Sequence, residues 1–125
     1  MPGWIVEVHR QREGVATPAK LEPERGERIA IWQTGFNGAD WLFELARSGK
    51  GVDLGGIGYP CWFTAPAREI LPRIMEKPPG ARDHWIANET DVVIGPWAGK
   101  TILDQAVAEK CTPDEWLIIE AWDES

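Results

Sequence analysis

Apolar positions fall in short runs separated by polar, glycine- and proline-containing stretches. Ile5-Val6-Glu7-Val8 reads as a first strand, and Arg28-Ile29-Ala30-Ile31-Trp32 as a second, entered through Gly26-Glu27. Between them, residues 10–28 are polar, contain Gly14, Pro18, Pro23 and Gly26, and read as a loop. Residues 39–49 fit two patterns. Asn37 can cap a helix whose face is Trp41, Leu42, Leu45 and Ala46, or Trp41–Leu45 can return as a strand from a Gly35–Gly38 hairpin. Period alone does not choose for so short a run. Gly49 to Gly58 holds five glycines and reads as a loop, followed by a strand from Tyr59 to Thr64. Ile70, Leu71, Ile74 and Met75 share a helical face, but Pro72 sits among them. Proline inside a helix costs about 3 kcal/mol, so the expectation is an extended segment with at most one turn.

Pro78-Pro79-Gly80 reads as a turn and Asp91-Val92-Val93-Ile94 as a strand. Ile102, Leu103, Ala106 and Val107 predict a helix ending near Lys110. Thr112-Pro113-Asp114-Glu115 has the order of a capping box and predicts the start of a short helical turn. Trp116 to Trp122 continues either as helix or as a last strand, and Ile118-Ile119 with two tryptophans favour strand. Together these elements predict one domain over 1–125 with a β-rich α+β fold. Its sheet would be a small, partly open β-barrel or a strongly bent mixed sheet of five to six strands, with two to three helices.

Composition supports a packed core, with 43% hydrophobic and 26% charged residues. No apolar run approaches the roughly 18 residues needed to cross a membrane, and no secretion signal is visible, so a cytoplasmic location with no membrane partner is expected. Cys61 and Cys111 are too few for a disulfide scaffold. With His9 and His84 they could form a zinc set, but no two of the four stand at ligand spacing, so neither metal nor cofactor is expected. Net charge is −7 and uneven. The first 90 residues hold 11 basic and 12 acidic side chains, whereas 91–125 set eight acids against Lys100 and Lys110. That end would repel phosphates and could dock a basic protein.

Two motifs bear on catalysis. Ile94-Gly95-Pro96-Trp97-Ala98-Gly99-Lys100-Thr101 is one residue short of a phosphate-binding P-loop and reads as a plain turn. Cys61 with His84 could form a thiolate pair, but Cys61 lies in an apolar strand, where a thiol is usually inert packing. No catalytic residue is assigned. Eight tryptophans, Trp4, Trp32, Trp41, Trp62, Trp85, Trp97, Trp116 and Trp122, exceed what a small core easily absorbs, so one to three of them are expected to line a pocket.

The stretch Pro23-Glu24-Arg25-Gly26-Glu27-Arg28-Ile29-Ala30-Ile31-Trp32-Gln33-Thr34-Gly35 resembles the PUA-like superfamily, in particular its EVE-domain branch. Thr112-Pro113-Asp114-Glu115-Trp116 is similar to a C-terminal segment of those domains, and Ala39 to Arg47 would be the family's returning strand. Glu27 replaces the usual aspartate. The resemblance implies a small barrel and a reader of modified bases that buries a flipped base in an aromatic cage. Trp32, Gln33 and Thr34 match the family segment, and Trp4 and Trp62 join them from neighbouring strands. The expectation is therefore a non-enzymatic binding module for a nucleobase or modified nucleic acid, with Arg10, Arg12, Lys20, Arg25 and Arg28 as a basic rim. The alternatives are an acidic inhibitor or immunity-type partner of a basic protein, and, third, a small-molecule enzyme.

Overall fold

The computed structural model of the chain describes residues 3–12, 25–34, 38–56, 60–75 and 102–123. Strand β1 (Trp4–Gln11) and strand β2 (Arg25–Thr34) are the two that the apolar runs predict, each longer than expected because polar flanking residues join the ladder. Helix α1 (Asp40–Arg47) settles the ambiguous segment as a helix, with Leu42 and Leu45 buried. It starts after Ala39 and has no side-chain cap, whereas Asn37 was expected to cap it and lies outside the described residues. Strand β3 (Val52–Gly56) occupies part of the glycine-rich stretch expected to be a loop. Gly55 and Gly56 take positive φ there, and a Cβ at Gly56 would lie 2.2 Å from the Pro60 carbonyl oxygen.

Strand β4 (Cys61–Pro66) leads directly into helix α2 (Ala67–Ile74). The helix corrects the extended reading of this segment. Pro72 is inside it but on its exposed side, while Ala67, Ile70 and Ile74 are buried on the other. Burying two isoleucines contributes about 1.5–3 kcal/mol each, which offsets the proline penalty. Strand β5 (Ile102–Leu103) takes the first two residues of the expected helix, and helix α3 (Gln105–Lys110) begins only after Asp104. The Asp104 carboxylate accepts a hydrogen bond from the Val107 N–H at 3.1 Å and caps it. Strand β6 (Trp116–Asp123) is the favoured strand reading of the C-terminal run. The capping box before it closes one turn, with Glu115 N–H on the Thr112 carbonyl at 3.1 Å, and no helix follows. The turn expected at 78–80, the strand at 91–94, the P-loop-like segment, His84, Trp85 and Trp97 lie outside the described residues.

The fold is strand-rich α+β. One sheet has the order β3-β4-β6-β1-β2-β5 with every pair antiparallel, so it is neither mixed nor closed into a barrel. The last strand lies in the middle, between β4 and β1. Side chains opposite one another in an antiparallel ladder share a face. One face carries Val6, Val8, Ala30, Trp32, Phe63, Ala65, Leu117 and Ile119 into a single core with Leu42, Leu45, Ile70, Ile74, Val107 and Ala108 from all three helices. No described helix packs on the other face.

A bulge in β2 sets which residues reach which face. Val8 pairs with Ala30, but His9 pairs with Arg28, so Ile29 is the extra residue. Strict alternation along β2 would group Ile29 with Ile31 on one face. Instead Ile29 is fully buried with the helix-covered core, and Arg28 stands opposite His9 on the far face.

Candidate functional site

The five residues expected to form a pocket are divided between the two faces. Trp32 is fully buried on the helix-covered face and stacks on Trp41, with ring centroids 6.2 Å apart and 24° between planes. Thr34 is buried on the same face, and Trp4, its ladder partner, packs against the core. These three residues serve the interior. Gln33 and Trp62 are on the opposite face.

That opposite face is organised in rows by the ladder. One row is Trp122, Ile5 and Gln33, running across β6, β1 and β2. The next is Trp62, Glu120, Glu7, Ile31 and Ile102, across β4, β6, β1, β2 and β5. A third is Thr64, Ile118, His9 and Arg28. Trp122 is 38% exposed, while Trp62 is almost covered. Two indoles therefore flank a charged centre, with Ile31 and Ile102 continuing its row across β2 and β5.

The centre is Glu7, His9 and Glu120. Glu7 and His9 are two apart on β1 and so share a face, and Glu120 faces Glu7 from β6. His9 is 7% exposed and Glu120 2%. The His9 Nε2 stands 3.5 Å from Glu7 Oε1, too long for a well-made hydrogen bond, and Nδ1 has no hydrogen-bond partner. Arg25, half-exposed, pairs its Nη1 with Glu120 Oε2 at 2.7 Å. The two carboxyls respond oppositely. The imidazole beside Glu7 holds that carboxyl below its ordinary value, against the desolvation that burial imposes, with help from the charges of His9, Arg25 and Arg28. Burial pushes Glu120 up, Arg25 partly reverses this, and the Glu7 charge adds to it. His9 and a hydrogen bond from Trp122 lower it again. The ligand atoms of Glu7, His9 and Glu120 lie within 4.8 Å of one another.

This centre went unseen in the sequence. His9 was considered only with cysteines, and both cysteines are elsewhere: Cys61 pairs with Ala121 on the core face, and Cys111 follows α3. Two local signals were present, namely a Glu-x-His step within an apolar strand and a lone carboxylate, Glu120, inside the run from Trp116 to Trp122. Their meeting depends on β6 pairing with β1, which no local pattern states.

Several described acids of the C-terminal stretch have partners within the chain. Asp114 pairs with Arg68 at 2.8 Å, Glu115 with Arg10 at 2.7 Å and Glu120 with Arg25. Asp104 caps α3. Arg10 and Lys110 also meet Glu27 on β2 at 3.4 Å and 3.2 Å. No described helix is long and apolar enough to cross a membrane. No family model, curated protein or solved structure matches the chain.

Proposed function

We propose that the chain is a non-enzymatic binding module that takes a flat, base-like heterocycle, a nucleobase or a modified one in nucleic acid, on the sheet face opposite the described helices. The observation that carries this reading is the row of Trp122, Ile5 and Gln33 beside Glu7 and Glu120. An exposed indole offers a stacking surface. Gln33 lies in the same row as a polar side chain, and Glu7 offers an acceptor for the edge of a base. Arg25 and Arg28 lie on the same face and supply positive charge near that row, so the chain's overall −7 does not describe the site. Arg10, expected in the same rim, is instead held by Glu115.

Stacking on Trp122 contributes about 1–3 kcal/mol per base. Titration of the chain with nucleosides and short oligonucleotides, methylated and unmethylated at the base, is expected to quench tryptophan fluorescence. Trp122→Ala should weaken that binding roughly ten- to hundred-fold while leaving the fold intact. Absence of any response across the panel, or an unchanged response in the Trp122 variant, would contradict the reading.

A further inference from the structure

We infer that Glu7, His9 and Glu120 form a binding site for one divalent transition-metal ion, with zinc(II) the best match. The observation is the imidazole. A buried ring nitrogen without a partner forgoes the hydrogen bonds it would make to water, and such a group calls for a water, an ion or another partner. His9 is 7% exposed, its Nδ1 has no hydrogen-bond partner, and its Nε2 has only the long approach to Glu7. Both ring nitrogens are thus free to bind, and two carboxylates stand on the same face beside them.

The donor set and spacing agree. One imidazole and two carboxylates form a nitrogen–oxygen set suited to zinc and its neighbours rather than to calcium or magnesium, which take oxygen alone. Tetrahedral zinc with bonds near 2.0–2.2 Å places its ligand atoms about 3.4 Å apart. Nε2 and Glu7 Oε1 are already 3.5 Å apart, and all three ligand atoms lie within 4.8 Å, so closing the set requires a shift of about an ångström in one side chain. Both β1 ligands come from one rigid central strand, and the third comes from the strand paired to it.

Arg25 does not block this arrangement. It holds Oε2 of Glu120, and a carboxylate has lone pairs on both oxygens, so the guanidinium acts as the outer partner that orients a ligating carboxylate. Arg25 and Arg28 oppose a cation, and Glu7 and Glu120 offset them. Three protein ligands leave one coordination position for a water or another ligand. The inference stands on these three residues alone and does not depend on the heterocycle reading.

The test is a titration of the chelator-treated, full-length chain with zinc(II), followed by calorimetry and by the ¹⁵N shifts of the histidine rings. Cobalt(II) absorption serves as a second probe. One ion per chain is expected, with a large shift of the His9 ring nitrogens only. Glu120→Gln and His9→Gln should each weaken binding ~100-fold or more, and His84→Gln should leave it unchanged. Circular dichroism identifies any variant that fails to fold, and in that case Glu7→Gln supplies the same comparison. No saturable one-to-one binding, an unshifted His9 ring, or affinity that survives these substitutions but falls with His84→Gln would each overturn the inference.

Discussion

Several buried charges are placed by ion pairs, and Glu115 is an example. It is 2% exposed, yet Arg10 meets it with Nε at 2.7 Å and Nη2 at 3.1 Å, a two-pronged contact that replaces lost hydration. The Thr112 N–H adds a third donor at 3.4 Å. Cys111 lies beside this pair. Burial pushes its thiol up to about 11, and the charge of Glu115 adds to the effect while Arg10 opposes it. Because the folded value exceeds the ordinary 9.0, this group's contribution to stability is intact below pH 9 and is lost as pH climbs through 11. Alkylation by iodoacetamide at pH 9, read by mass spectrometry, should therefore be much slower at Cys111 in the folded chain than in urea. Equal rates would show an accessible, ordinary thiol.

At the scale of elements, α2 holds a proline that its packing outweighs. Pro72 faces solvent, so replacing it disturbs no core contact and restores a backbone donor. Pro72→Ala should stabilise the chain by about 1 kcal/mol, the helical gain being partly cancelled by a freer unfolded chain. Urea denaturation reads the change, and a lower midpoint would mean that α2 needs the rigid ring. The same element explains which parts of the fold were legible. β1, β2, β4 and β6 announce themselves through β-branched and aromatic runs. α2 was misread because a local penalty was weighed without Ile70 and Ile74 finding a core. The glycines of β3 suggested a loop because an edge strand can use positive φ at a bulge, here between Asp53 and Gly55. Trp32 was placed in the pocket by its resemblance to a family segment. Which face it occupies follows from where α1 packs, and that is a long-range fact.

For the whole molecule, the open sheet has unequal faces. The three described helices cover one face, and the strands carry indoles, carboxylates, an imidazole and guanidinium groups on the other, where Thr64, Ile118 and Glu120 are also buried and Trp122 is exposed. The Ile29 bulge contributes to both, since it sends an isoleucine to the core and an arginine to the site. Topology brings Glu120 to Glu7 because the last strand inserts between β4 and β1. The most direct test of this division is the set of indole N–H resonances in a ¹H–¹⁵N spectrum, followed as the best-quenching oligonucleotide is added. The Trp122 and Trp62 signals should move with saturation, while Trp32, fully buried, and Trp41, stacked on it from α1, stay in place. Movement of Trp32 and Trp41 with Trp122 unmoved would contradict the assignment of the ligand to the face opposite the described helices.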